Sequence, residues 1–183
     1  MKSKFLETTE LYDGAQLVSL NSYLKHGLLG DSIVAWVGPC NVTFEHMVDG
    51  EDLLAKASIA GDKMVHFIIE KFDSTLLAAV AMQRLLAAIV KDTLSGGKIA
   101  LTRDGDDIWA GDRKLSISIA TQSPVSSLIH FAVNVTNKGT PVKTLALEDL
   151  GVEPQAFALE VMKKFVAEAE SVVEATHKVR WVK

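Results

Sequence analysis

Hydrophobic and polar positions along the chain alternate in two registers, one suited to strands and one to helices. Ile33 to Val37 is a short apolar run that ends at Gly38-Pro39, which predicts a buried strand followed by a turn. Leu53 to Ala60 lies between Asp49-Gly50 and Gly61-Asp62 and predicts a brief helix. Met64 to Phe72, MVHFIIEKF, is rich in β-branched and aromatic residues and predicts a second strand. A helix follows, capped by Asp73 or Ser74 and running to about Leu94. Leu76, Leu77, Val80, Leu85, Ile89 and Val90 form its apolar face, and Gly96-Gly97 stops it. The next block is β-rich, with strands expected at Lys98–Thr102, Ile108–Ala110, Leu115–Ala120 and Leu128–Thr136 and a Gly111-Asp112 turn inside it. Glu153-Pro154 then opens a helix to about Ala175. Phe157, Val161, Phe165, Ala169 and Val172 line one side of it, and Lys163, Lys164, Glu168 and Glu170 the other. A contiguous block of strands between two long helices predicts an α+β fold, an antiparallel-rich mixed sheet packed against those helices.

Composition narrows the function classes. At 183 residues the chain fits one domain, 1–183, and a domain of this size buries roughly 70% of its unfolded surface. A 48% hydrophobic and 23% charged composition is that of a globular protein. The net charge of -4, with no window joining Lys and Arg to aromatics, argues against a nucleic-acid surface. Small acidic ligands stay open, because a local positive pocket can sit inside an acidic protein. The stretch STLLAAVAMQRLLAAIV carries Gln83 and Arg84 at its centre, so it predicts a buried helix and no membrane span. The segment MKSKFLETTELYDG has no apolar core of a signal peptide, and the expected location is the cytoplasm. The single cysteine, Cys40, forms no intrachain disulfide; it reads either as a buried small apolar residue or as a nucleophile after a strand.

Candidate chemistry concentrates in RDGDDIWAGDRKLSISIA, residues 103–120. Strict alternation sends Leu115, Ile117 and Ile119 to the core, and Ser116, Ser118 and Ala120 outward with Lys114. In the last strand Ile129, Phe131, Val133 and Val135 point one way, and His130, Ala132, Asn134 and Thr136 the other. The outward faces either meet water or floor a pocket. Their small side chains, with His130, Asn134 and Lys114 as isolated polar groups, favour the pocket. Lys114 offers a compact cation to an anion, and Arg103 a forked donor to a carboxylate or phosphate. Asp106 and Asp107 accept from hydroxyl or amine groups, hold magnesium, or end a turn. His66, with Met64, Ile68 and Glu70 on its strand face, reads as a hydrogen-bonded core histidine or a ligand contact. Ser95-Gly-Gly-Lys98 lacks the spacing of a phosphate loop, and neither a His-Glu-x-x-His metal motif nor a Gly-x-Ser-x-Gly elbow occurs.

Three stretches carry a resemblance: Arg103-Asp-Gly-Asp-Asp-Ile-Trp, Gly111-Asp-Arg-Lys114-Leu-Ser, and Phe-Ala-Val-Asn134-Val. Together they resemble the core of biotin and lipoate protein ligases over about residues 98 to 137. With GPCNVTFEHMVDGED, MVHFIIEKFD and QRLL, the whole chain is similar to the prokaryotic group called domain of unknown function 366. The resemblance implies a ligase-like fold, a small-molecule ligand, and an enzyme of acyltransferase or ligase type using ATP, AMP or an acyl-adenylate. It implies that Lys114 contacts the phosphate and acyl carbonyl of the adenylate, and that Asp107 closes the family's Asn-Asp pair. Asp106 stands where the family has Asn, and Ile117 where it has a Gly that lets substrate approach the backbone. The biotin branch's Gly-Arg-Gly-Arg loop and the lipoate branch's Arg-Arg-x-Ser-Gly-Gly-Gly stretch have no counterpart. Those departures imply an alternative, a non-catalytic binding protein or a homodimeric assembly protein on the same fold.

Overall fold

A computed structural model describes residues 1–182. Eight strands form two sheets. The larger runs in the order β1 (Lys2–Leu6), β2 (Ser32–Val42), β3 (Ile59–Phe72), β8 (Ser126–Asn134) and β7 (Ser116–Gln122). Only β1 pairs in parallel; the other neighbours are antiparallel. The smaller sheet is a three-stranded ribbon of β4 (Thr102–Asp104), β5 (Asp107–Ala110) and β6 (Arg113–Lys114). The helices are α1 (Asn21–His26), α2 (Gly50–Ala55), α3 (Leu76–Leu94), α4 (Leu147–Leu150) and α5 (Pro154–His177). The α+β class and the two long helices on one face of an antiparallel-rich sheet follow the sequence expectation. No helix among the described residues is long and apolar enough to cross a membrane.

Helices α3 and α5 begin where their sequences can satisfy the first free backbone donors. The Thr75 hydroxyl accepts from Ala78 N at 3.2 Å, one residue beyond the expected cap. The Glu153 carboxylate accepts from Gln155 N and Ala156 N, and Pro154 occupies a first-turn position that lacks a partner in any helix. Both helices cover one sheet face through a core that includes Phe67, Phe131, Val133, Leu86, Val161 and Phe165. The buried stripe of α3 is Ala79, Gln83, Leu86, Ala87, Val90 and Leu94, whereas Leu76 and Leu77 are exposed. The expected face was therefore turned by about one residue, and it hid a buried glutamine.

A second apolar cluster, on the opposite face, contains Tyr12, Val34, Trp36, Met64, Ile68 and Ala132. It is closed by the segment before α1. Tyr12 N donates to Pro39 O, Asn41 N donates to Tyr12 O, and the Trp36 indole donates to Glu10 O at 2.9 Å. This close crossing explains Gly38: a Cβ there would lie 2.0 Å from Glu10 O. The expected turn at Gly38-Pro39 is instead a bulge inside β2, which continues to Val42. The expected helix from Leu53 to Ala60 ends at Ala55, and Ile59 already belongs to β3.

One strand face is corrected. Ser116, Ser118 and Ala120 pair across the sheet with Val133, Phe131 and Ile129, which are core residues beneath the helices. Ile117 and Ile119 pair with Ala132 and His130 on the other face. The cause is the join between the two sheets. Leu115 leaves the small ribbon with its N–H on Ile108 O and enters the large sheet with its carbonyl accepting from Asn134 N. Leu115 and Ser116 are consequently both fully buried, and the period of two restarts one residue late. Small side chains at 116, 118 and 120 make room for α3.

Candidate functional site

A cavity of about 480 Å³ opens on the sheet face away from α3 and α5. Its wall includes Lys114 and Asp107 from the ribbon, Ile117 and Ile119 from β7, His130 and Asn134 from β8, and Tyr12 from the N-terminal segment. Asp49, Glu51 and Asp52 of the α2 region and residues 140–142 and 144 also line it. Of the residues singled out in the sequence, Asp106, Asp107, Lys114, Ser116, Ser118, His130 and Asn134 border this cavity, and Arg103 and His66 do not.

Lys114 is held from both sides of its backbone. Its N–H donates to Lys143 O, and its carbonyl accepts from Leu145 N and from the Asn134 side-chain amide. That amide also donates to Leu145 O at 3.2 Å, so Asn134 fastens the 143–145 segment to the ribbon. The Lys114 ammonium lies 2.8 Å from Asp107 Oδ2 and 5.5 Å from the Trp109 ring centroid. Trp109 and Lys114 are direct cross-strand partners, which is why the ring and the cation meet. Burial holds the Asp107 carboxyl above its ordinary range, against the opposing pull of Lys114. Asp52 is likewise raised, by burial and by the charge of Asp49, while Lys114 pulls it down. One lysine therefore faces carboxylates on two walls.

Asp106 belongs to a different network. Its Oδ2 accepts from Ser118 Oγ at 2.6 Å and from Gln83 Nε2 at 2.9 Å, and Gln83 also donates to Ser118 Oγ at 2.8 Å. Gln83 comes from the buried stripe of α3, so this triangle ties helix, β7 and ribbon together. The Ser116 hydroxyl accepts from Ile108 N at 3.1 Å and is fully buried. Ser116 and Ser118 border the cavity with Asp106, but their hydroxyls are engaged by Ile108 N, Gln83 and Asp106. Arg103 lies outside the cavity, exposed on β4, where its guanidinium donates to Gly105 O.

The floor is aromatic. His130 stacks on Tyr12 with ring centroids 3.6 Å apart and 12° between planes. His66 lies beneath, fully buried, stacked on Trp36 at 5.0 Å. His66 Nδ1 is 3.1 Å from His130 Nε2, and His66 Nε2 is 3.2 Å from Gly38 O. Burial pushes His66 down to about 4, and His130 well below its ordinary value. Burial also raises the Tyr12 hydroxyl, which stays protonated. Cys40 is buried beside Tyr12 with its thiol pushed up to about 12, as suits a small apolar residue and not a nucleophile. Among the described residues no group of three or more His, Cys, Asp or Glu side chains could hold a metal ion.

Tyr12 and Gln83 were missed as site residues by sequence reasoning. Gln83 gave a signal, a lone amide at the centre of an apolar helix. Tyr12 gave none, because its place on the sheet depends on a long-range crossing over Gly38.

Comparison with known proteins gives the family and the fold. The family model described as domain of unknown function (DUF366) matches residues 1–180. An uncharacterized protein of Methanocaldococcus jannaschii is 37% identical over 148 residues, covering 78% of this chain and 67% of that one. A solved protein of unknown function from Pyrococcus horikoshi superposes with a TM-score of 0.94 at 44% identity, over 99% of this chain and all of that one. Biotin protein ligase from Aquifex aeolicus, solved with biotin and ATP, gives a TM-score of 0.60 at 14% identity, over 91% of this chain and 69% of that one. The last similarity is one of fold. The chain is a member of the DUF366 family, built on the biotin/lipoate protein ligase fold.

Proposed function

We propose that the protein binds a small carboxylate-bearing molecule or its adenylate in the 480 Å³ cavity and acts on it as an acyl-transfer or ligase-like enzyme. The observation that carries the reading is Lys114, a cation with a clamped backbone at a cavity with an aromatic and apolar floor. Its partner supports the role. Burial disfavours the charged form of Asp107, so an incoming carboxylate or phosphate that replaces it on Lys114 loses little. A fixed ammonium beside a developing oxyanion or a leaving phosphate stabilises charge where water is excluded. ATP or AMP is the cofactor class this reading implies, and the A. aeolicus ligase solved with biotin and ATP supports it by fold.

A second reading is a non-catalytic binding protein, alone or as a homodimer. Ile117 favours it: its side chain occupies the cavity wall and packs on the second cluster, narrowing access to the β7 backbone. Glu51 and Asp52 on the facing wall also disfavour a triphosphate.

Thermal melts with AMP, biotinyl-adenylate and lipoyl-adenylate test the ligand class. A ligand at about 100 times its dissociation constant stabilises by about 2.7 kcal/mol; no shift with any of the three contradicts the proposal. Carboxylate-dependent exchange of pyrophosphate into ATP then separates the two readings, since only the enzyme supports it.

A further inference from the structure

The cavity floor has a fixed hydrogen-bonding polarity, set by atoms remote from Lys114. The Gly38 carbonyl can only accept, so His66 Nε2 carries the proton and donates to it across 3.2 Å. A neutral His66 then has a lone pair on Nδ1, which faces His130 Nε2 at 3.1 Å. The proton between the rings therefore belongs to His130 Nε2, and a neutral His130 keeps its lone pair on Nδ1. Both rings are buried, at 0% and 3% exposure, and they stack with Trp36 and Tyr12 in a setting that disfavours an imidazolium.

No protein group bonds to His130 Nδ1 among the described residues. Nor is it one of the sealed polar atoms without a partner, which are Ser22 Oγ, Ser32 Oγ and Thr136 Oγ1. His130 lines the cavity, so Nδ1 opens into it. The neighbours on that face, Ile117 and Ala132, are apolar, and Tyr12 covers one side of the ring. An isolated acceptor in such a setting discriminates strongly. A ligand that brings a donor gains a hydrogen bond, and one that brings a carboxylate or carbonyl oxygen sets lone pair against lone pair.

We propose that His130 Nδ1 is a specificity-determining acceptor, and that the end of the ligand reaching the floor is a neutral group bearing an N–H or O–H donor, such as an amide, urea or alcohol. The inference rests on the reading that this cavity is the ligand site. It deepens that reading by giving the ligand two ends: an acidic end for Lys114 and a neutral donor end for His130. A ligand whose buried end lacks any donor, such as a thioether or hydrocarbon ring, is bound less well.

The test uses the whole protein labelled with 15N-histidine, and two probes, 2-piperidone and its N-methyl derivative, in which a methyl group replaces the donor hydrogen. The expected spectrum at neutral pH shows His66 and His130 both protonated on Nε2 alone. Addition of 2-piperidone shifts the His130 Nδ1 resonance, and it binds five- to tenfold tighter than the N-methyl lactam, the worth of one net hydrogen bond. The variant His130→Phe abolishes that preference. A proton on His130 Nδ1, or equal binding of the two lactams to the wild-type protein, overturns the proposal whether or not the variant folds. Lactam selectivity in a protein that ignores acyl-adenylates still supports the donor site, while removing the carboxylate reading of the mouth.

Discussion

The substitution Ser118→Ala tests the strand face on which the frame of the site depends. Ser118 Oγ donates to Asp106 Oδ2 at 2.6 Å and accepts from Gln83 Nε2 at 2.8 Å. Removing the hydroxyl deletes one hydrogen bond to a carboxylate, worth about 1.5–3 kcal/mol, and one neutral bond worth about 1 kcal/mol. Two facts reduce the sum. Gln83 keeps Asp106 as a second acceptor, and the half-buried Asp106 regains water in part. The expected loss is therefore about 1–2 kcal/mol. In a protein of this size that lowers Tm by about 2–8 °C, read by calorimetry or by urea unfolding followed by circular dichroism. A cycle with Asp106→Ala should return a coupling of about 1 kcal/mol, since the two side chains touch. If the Ser118 hydroxyl instead pointed into the cavity's water and away from Asp106 and Gln83, it would be hydrated and dispensable. A change below about 0.5 kcal/mol, additive with Asp106→Ala, refutes the assigned face.

Other outcomes follow from the same geometry. Ile117→Ala should cost about 1–3 kcal/mol in urea unfolding, the low end for a partly buried isoleucine, while raising the affinity for bulky acyl-adenylates measured by calorimetric titration. Cys40, 3% exposed with its thiol pushed up to about 12, should react with a thiol reagent only as fast as the protein unfolds, followed by mass spectrometry. The buried histidines set a pH dependence. Their folded forms resist protonation, so the unfolded chain binds more protons below the ordinary histidine value of 6.5. Stability is then full above about 6.5 and falls as the pH drops toward 4, by about 3 kcal/mol from His66 alone. Urea titrations at stepped pH check this, and a flat profile between 7 and 5 contradicts it.

The parts of this fold written in local pattern were legible. The strands around 64–72 and 128–134, the helix over 76–94 and the Pro154 start of the last helix follow from periodicity and caps within one segment. The parts set by long-range geometry were not. Strand β1 gains its place by pairing with β2, and its mixed sequence KSKFL carries no alternation strong enough to announce it. The reversed face of β7 has the same origin, because the handover from ribbon to sheet at Leu115 inserts a residue that strict alternation cannot see. For Ile117 the two lines of sequence reasoning disagreed. Alternation sent it to the core, whereas the ligase resemblance set it where a glycine faces substrate, and the structure puts it in the cavity wall. Lys114, Asp107, His130 and Asn134 were legible as a group because a short hairpin and one long strand bring them together. Arg103 was chosen for its chemistry alone, and the register of β4 against β5 leaves it exposed at the far side of the ribbon.

The central claim is that Lys114 holds the anionic end of a small ligand in this cavity. Isothermal titration of the wild-type protein and of Lys114→Ala with a non-hydrolysable acyl-adenylate tests it directly. The account predicts binding by the wild-type protein and a loss of about tenfold or more in the variant, as expected when a charged hydrogen bond worth about 1.5–3 kcal/mol is removed. Equal affinity in the two proteins, with both folded by circular dichroism, contradicts it.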